Sequence, residues 1–181
     1  MKGMLFFEDK EIPKIFLGID NLGQALWERD EYKDFKIIVG NEGIVMVHKN
    51  VLCARSEFYE AMFRAKREEA VTNIQKITDF NLKTVQTAIK FFYDYNIFES
   101  LNLDDAFELA RFADKYNIND LQDKLELFLI YRLSLSTVCQ LANTSKFFNL
   151  FKLRKHCFDF LMTCSKHGVA IDIVDFAAEL V

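Results

Sequence analysis

Two spacings of apolar and polar residues divide this chain into strands and helices. Residues 35–39 (FKIIV) and 44–47 (IVMV) are rich in β-branched residues and flank a polar turn at 41–43 (NEG). Two such runs with a turn between them predict a β-hairpin. A third, short strand is predicted at 74–77 (IQKI).

Apolar residues recur at helical spacing on both sides of the predicted hairpin. Residues 20–29 predict a short amphipathic helix that Asp20 or Asn21 would cap. Residues 48–66 predict two helices, with Ser56 as the N-cap of the second.

The second half of the chain is predicted to be helical throughout. Asn81 and Asn102 have the side chain that caps helices, and the helix after Asn102 is apolar on two sides, which indicates a central, buried position. Asn119 with Gln122 resembles a capping box for the next helix. The remaining predicted helices cover 136–147, 150–165 and the last residues of the chain.

This order of elements predicts an α+β fold that continues into an all-helical part. Three parts are expected: a lead-in segment at 1–18, an α+β domain at 19–132 and a C-terminal helical extension at 133–181. With 181 residues, of which 51 % are hydrophobic and 28 % charged, the chain has enough apolar material for one well-packed core.

The charge balance argues against nucleic acid as a partner. The formal net charge is -4, so the chain lacks the basic field that nucleic-acid binding needs. Lys152, Arg154, Lys155 and His156 form a local basic cluster, which we interpret as a solvated helix face.

The N-terminus, the hydropathy of the chain and the cysteines all bear on where the protein is located. Glu8 and Asp9 break the N-terminal apolar run, which is too short for a signal peptide, and no stretch approaches a membrane span. The four cysteines lie inside apolar helical patterns and are interpreted as reduced, buried thiols. We therefore expect a cytoplasmic and/or nuclear protein that has no contact with a membrane.

Catalytic and metal-binding motifs are sparse. A glycine-rich phosphate loop, a nucleophile elbow and paired His ligands are all absent from the sequence. The best metal-ligand set, Cys157, Cys164 and His167, lacks a fourth ligand and is interpreted as packing. His48, between a strand and a helix, is expected to bond nearby backbone groups. No enzyme activity, cofactor or metal is predicted.

The segment 34–63 resembles the core of the BTB/POZ family. Its residues match the family pattern in order and spacing, with an acid before the first strand, a His-basic pair after the hairpin, an apolar helix, and a Ser followed by an aromatic helix ending in Met-Phe. These positions are Asp34, His48, Lys49, Val51, Leu52, Ser56, Phe58, Tyr59, Met62 and Phe63. The resemblance covers roughly 20–132, and 134–165 look like the paired helices that often follow this domain in cullin-3 adaptors.

The resemblance implies a small three-stranded sheet packed with a helix cluster. Family members commonly homodimerise through the N-terminal helix and first strand, which here implicate Leu22, Leu26 and Trp27 of the helix and Asp34 just before the strand. Many members are substrate adaptors of cullin-3 ubiquitin ligases, whereas others only assemble complexes. The implied partners are therefore a second copy, cullin-3 and an unidentified substrate protein.

Four residues are candidate cullin contacts by this resemblance: Phe63, Arg67, Glu69 and Tyr116. Cullin-binding members carry a hydrophobic residue, any residue and Glu just after the Met-Phe helix. Glu69 supplies the Glu, but Arg67 occupies the hydrophobic position. Tyr116 has two interpretations, cullin contact or core packing. An assembly module without cullin binding is the alternative function.

Overall fold

The computed structural model describes residues 22–170. The lead-in at 1–18, the caps Asp20 and Asn21 and the predicted last helix lie outside the described residues. The strands are β1 Phe35–Val39, β2 Gly43–Val47 and β3 Ile74–Ile77, and the helices are α1 Leu22–Trp27, α2 Lys49–Arg55, α3 Glu57–Arg64, α4 Glu68–Thr72, α5 Leu82–Phe92, α6 Leu103–Lys115, α7 Asn119–Tyr131, α8 Val138–Phe147 and α9 Phe151–Lys166.

The three strands form one sheet in the order β2-β1-β3. β1 pairs antiparallel with β2, with Phe35 opposite Val47, and parallel with β3, with Ile37 opposite Gln75. Because side chains alternate between faces, Phe35, Ile37 and Val39 all point into the core and are fully buried. The predicted hairpin, third strand and α+β class are thereby confirmed.

Side-chain caps fix where three of the helices begin. Ser56 accepts a hydrogen bond from the Tyr59 amide at 3.2 Å. Asn81 and Asn102 accept from the amides three residues further on, each at 2.8 Å. These are the predicted N-caps, and each satisfies one of the amides that a helix start leaves unpaired.

Helix α6 runs through the centre of the helix cluster, as its two apolar sides predict. Its fully buried residues are Ala106, Leu109, Ala110, Phe112 and Ala113. Helices α5 and α7 both pack against it. Small alanines on this helix allow both neighbours to approach closely.

Three local features differ from their predictions. Helix α1 ends at Trp27 rather than at 29, and its predicted start lies outside the described residues. The short helix α4 was not predicted, because five residues are too few for a periodic signal. Asn119 does not cap α7. It is the first helical residue, Ile118 precedes it, and Gln122 donates to the Phe148 carbonyl at 2.9 Å.

The C-terminal helix pair packs directly on the domain. Helices α8 and α9 contact each other, and α9 contacts α7. The buried Glu126 of α7 accepts from the Leu153 amide at 2.9 Å and so caps the start of α9. Among the described residues, no helix is both long enough and apolar enough to cross a membrane.

Candidate interaction surfaces

Helix α1 lies against the turn that follows α5. A side chain at Gly23 would bring its Cβ within 2.6 Å of the Tyr93 carbonyl oxygen, so the close approach requires glycine. The Trp27 ring packs on the Tyr93 ring with 5.1 Å between centroids. The Tyr95 hydroxyl donates to Glu28 at 2.9 Å. These contacts hold α1 on its own chain.

The outer side of α1 carries apolar surface. Leu22 is 74 % exposed, and Tyr32, in the single turn of 3₁₀ helix after α1, is 70 % exposed. Leu26 and Trp27 are half-buried and pack against the edge of the core. The N-terminal surface, defined here as Leu22, Leu26, Trp27 and Tyr32, is therefore partly covered and partly open.

Asp34 and Phe63 both contact Lys49, which the sequence pattern did not predict. The Asp34 carboxylate accepts from the Lys49 amide at 2.8 Å and so caps the start of α2. The Lys49 ammonium lies 5.6 Å from the centroid of the Phe63 ring. Asp34, at the start of β1, and Phe63, at the end of α3, thus border one region of the surface.

His48 is buried and bonded to Tyr93. The Tyr93 hydroxyl accepts from the His48 backbone amide at 2.9 Å and lies 2.7 Å from the ring Nδ1. Because that hydroxyl already accepts one hydrogen, its own hydrogen is available to Nδ1. The predicted partner was nearby backbone, whereas the actual partner is a side chain 45 residues away.

Burial sets the charge state of this pair. It lowers the pKa of His48 from its ordinary value of 6.5, and the charge of Asp34 only partly opposes this. The ring is therefore held neutral at physiological pH. Its Nε2 is the one buried side-chain polar atom in the described part of the chain that has no hydrogen-bond partner.

Arg67 and Glu69 lie at the start of α4 rather than beyond a helix end. The Arg67 backbone carbonyl accepts from the Ala70 amide at 2.9 Å, while its side chain is exposed. Glu69 is half-buried in the first turn, where a carboxylate suits the helix dipole. Together with Thr72, Ile74 and Lys76 it lines a shallow depression.

Tyr116 packs in the core. It is 2 % exposed, and its ring stacks on Tyr59 with 5.7 Å between centroids and 6° between planes. Tyr59 stacks in turn on Phe63 at 6.3 Å. Burial raises the pKa of the Tyr116 hydroxyl, which stays protonated. Of its two interpretations, the geometry favours core packing: Tyr116 also contacts the half-buried Phe58, with 5.2 Å between ring centroids.

The predicted metal-ligand candidates were Cys157, Cys164 and His167. Between residues 22 and 170, no group of three or more His, Cys, Asp or Glu side chains is placed to hold a metal ion. Cys157 and Cys164 face the core, and burial raises the pKa of Cys157 to about 11, so this thiol is protonated at neutral pH.

Comparison with known proteins decides the family. A profile of the BTB/POZ domain matches residues 24–133. The chain belongs to the BTB/POZ domain family. This domain is a protein–protein interaction module. The exposed side chains of Leu22, Tyr32 and Arg67 are available to such a contact.

Related BTB proteins are longer than this chain. BTB and MATH domain-containing protein 42 of Caenorhabditis elegans is 29 % identical over 174 residues, which cover 93 % of this chain and 40 % of that protein. TD and POZ domain-containing protein 4 of Mus musculus is 26 % identical, with 80 % and 39 % covered. The chain thus spans about two fifths of the length of these relatives.

A solved structure supports the fold. The BTB domain of zebrafish PATZ1 superposes with a TM-score of 0.50 at 19 % identity, covering 60 % of this chain and 84 % of that one. At this identity the likeness establishes the fold alone. The small sheet with its helix cluster is thus the BTB fold.

Proposed function

We propose that this BTB domain forms a homodimer through its N-terminal surface and serves as an adaptor that docks cullin-3. The observation that carries the dimer is the exposure of Leu22 and Tyr32 on an element held firmly to its own chain. Apolar groups in such a place are stabilised when a second copy covers them. Asp34 directly follows Lys33, whose ammonium lies 4.4 Å from the centroid of the Trp27 ring, and is proposed to lie in the same interface.

The cullin-docking surface is proposed to consist of Phe63, Arg67 and Glu69. Phe63 is half-buried and is supported from beneath by Tyr59 and by Phe35, whose ring centroid lies 5.0 Å away. Glu69 follows six residues later and is half-buried, and Arg67 between them is exposed. A supported ring and a carboxylate on successive helices offer a partner one apolar and one acceptor group.

Arg67 sets the expected strength of docking. Its aliphatic stem can fill part of a hydrophobic slot, but its charged head must reach water or an acidic group. The lost contact of a Leu- or Met-sized side chain is worth about 1.5–3 kcal/mol. The affinity of this chain for cullin-3 is therefore expected to be about ten- to a hundredfold weaker than it would be with an apolar residue at position 67.

Isothermal titration with a cullin-3 N-terminal fragment tests this function. Arg67→Met and Arg67→Leu should bind about ten- to a hundredfold more tightly than the wild type, and Glu69→Ala should bind more weakly. Two neighbours provide matched controls. Lys66→Met removes the same charge one residue earlier, and Glu68→Ala removes a carboxylate from the same helical turn; neither should change affinity appreciably.

Three outcomes are informative. No detectable binding by the wild type or any variant would remove cullin-3 from the function. Tighter binding by the wild type than by Arg67→Met would show that Arg67 makes its own polar contact. An equal gain in Lys66→Met would mean that charge, not the apolar slot, governs docking.

The second candidate is a dimerisation module that assembles a complex without cullin-3. The exposed charge of Arg67 at the hydrophobic position favours it. In both functions the chain is proposed to act without catalysis or a cofactor, in the cytoplasm and/or nucleus. Co-purification of partners from cells would identify the substrate protein or the assembled complex.

A further inference from the structure

Helix α9 carries a row of exposed apolar side chains. Its interior side includes the buried Leu153 and Cys157. On another side Phe151 is 68 % exposed, Phe158 61 % and Met162 44 %. These three lie seven and four residues apart and therefore form one straight row along the helix, here called the α9 stripe. A surface helix is normally polar on this side, so the stripe is a candidate contact surface.

Basic side chains border the α9 stripe on both sides. Because successive residues are about 100° apart around a helix, Arg154 lies on one side of the stripe and Lys155 and Lys166 lie on the other. All three are exposed. Asp159, on the side of Lys155, is the only acidic residue of the helix. The border of the stripe is therefore mainly positive.

Arg154 is held in place beside the stripe. Its guanidinium donates to the carbonyl oxygens of Ser145 at 3.2 Å and Lys146 at 3.3 Å, at the end of α8. The same group lies 5.6 Å from the centroid of the Phe151 ring. One cation and one aromatic ring of the surface are thus already positioned for a partner, which lowers the entropy lost on binding.

The two lysines on the other side have free charges. Lys152, elsewhere on the helix, is paired with Asp123 at 2.7 Å. Lys155 and Lys166, in contrast, make no ion pair with any residue between 22 and 170. A partner with carboxylates at these places would gain complementary charge without breaking an existing ion pair.

The shape of the stripe favours a helical partner. Phe151 and Met162 are eleven residues apart, or about 16 Å along the helix, and the row is one side chain wide. A partner helix with apolar residues at i, i+4 and i+7 presents a matching row. A membrane surface fits less well, because an interfacial helix needs a broad apolar face, and α9 buries its interior side in its own fold.

We infer that the α9 stripe docks an acidic amphipathic helix of another protein. Phe151, Phe158 and Met162 would pack on the apolar row of that helix, and Lys155 and Lys166 would pair with carboxylates at its border. The inference does not depend on the proposed function, whose surfaces are formed by α1, α3 and α4.

Fluorescence anisotropy with two synthetic peptides tests this docking on the full chain. Each peptide has about 15 residues, is cross-linked to hold it helical, and carries Leu at i, i+4, i+7 and i+11. One has Glu at the bordering positions and the other has Lys. The acidic peptide should bind at least about tenfold more tightly than the basic one, and the difference should shrink at high salt because salt screens exposed charges.

Two variants separate the apolar and the charged contributions. Phe158→Ser should weaken binding of the acidic peptide at least about tenfold. Ile44→Ser, which removes a 55 % exposed apolar side chain from β2, is its control and should change nothing. Lys155→Glu combined with Lys166→Glu should abolish the preference for the acidic peptide.

A second pair of lysines controls for net charge. Lys76 and Lys90 are exposed on β3 and α5. Lys76→Glu combined with Lys90→Glu changes the net charge by the same amount and should preserve the preference. Because all the substituted side chains are exposed, circular dichroism should be unchanged in every variant.

Four results would overturn the inference. Binding of neither peptide by the wild type would show that the stripe is not an open docking site. Equal affinity for both peptides would show that charge does not select the partner. Binding to anionic phospholipid vesicles that Phe158→Ser abolishes, without peptide binding, would make a membrane the occupant. A loss of self-association in Phe158→Ser, measured by sedimentation, would make a second copy the occupant.

Discussion

The two candidate interaction surfaces differ in how the core supports them. The N-terminal surface rests on Tyr93, whose ring holds Trp27 and whose hydroxyl is bonded to the buried His48. The cullin-docking surface joins Phe63, whose ring packs on Tyr59 and Phe35, to the charged Arg67 and Glu69 of the five-residue helix α4. One surface is apolar throughout, and the other combines one aromatic ring with two charged side chains.

This difference indicates two kinds of binding. An apolar surface whose residues are already packed against their own chain loses little conformational entropy on association. Such a surface suits a permanent contact with a second copy. A surface with two charged side chains gains less from burial, which suits a selective and weaker contact. Dimerisation should therefore be more robust than cullin-3 docking, and changes at one surface should leave the other intact.

The largest expected effect comes from removing the apolar part of the N-terminal surface. Leu26→Asp combined with Trp27→Ala should weaken dimerisation at least about a hundredfold, since a central Trp alone is often worth 2 kcal/mol or more. Sedimentation equilibrium measures the change. Arg67→Met, on the other surface, is the control and should keep the wild-type dimer; a loss of dimer in both variants would erase the distinction between the surfaces.

The next effect concerns the support beneath α1. His48→Ala leaves the Tyr93 hydroxyl without its ring partner, and an orphaned buried group of this kind costs about 1–3 kcal/mol. Urea unfolding measures the loss in the free energy of unfolding. His48→Asn, which keeps an acceptor near the position of Nδ1, should lose less. Unchanged stability with loss of partner binding would show that His48 is a binding residue.

A smaller effect is expected from Gly23→Ala. The added Cβ would meet the Tyr93 carbonyl oxygen, so α1 must move outward even though alanine favours helix. We expect about tenfold weaker dimerisation with little loss of helicity by circular dichroism. Tighter dimerisation would mean that α1 gains more from helix propensity than it loses in docking.

The smallest effect is on pH dependence. The lowered pKa of His48 means that below its ordinary value of 6.5 the unfolded chain binds a proton that the folded chain does not. Stability from this group is full above that pH and falls as the pH drops toward the folded pKa. Between pH 7.5 and 5.5 the wild type should therefore lose more unfolding free energy than His48→Asn, by at most about 1.4 kcal/mol per pH unit. Equal losses would contradict this origin.

The periodic parts of the fold were predictable from the sequence. The three strands and the caps Ser56, Asn81 and Asn102 act over a few residues, so local patterns contain them. Helix α4 was missed because it is too short to show a period. The capping box at Asn119 failed because Ile118, fully buried, sets the start of α7 by packing.

The candidate surfaces were only partly predictable. The half-burial of Trp27, the bond from His48 to Tyr93 and the meeting of Asp34 and Phe63 at Lys49 all depend on tertiary contacts between distant parts of the chain. No local pattern encodes such contacts. The close approach of α1 to Tyr93 could have been predicted from Gly23. A glycine inside a predicted helix often has a packing reason of this kind.

Sedimentation of the wild-type chain at micromolar concentration tests the central claim most directly. If the N-terminal surface makes this BTB domain a homodimer, the mass at equilibrium will be twice the 21.2 kDa of one chain, and the double variant at Leu26 and Trp27 will shift toward one. A wild type with only monomer mass, or a double variant that remains fully dimeric, would contradict the account.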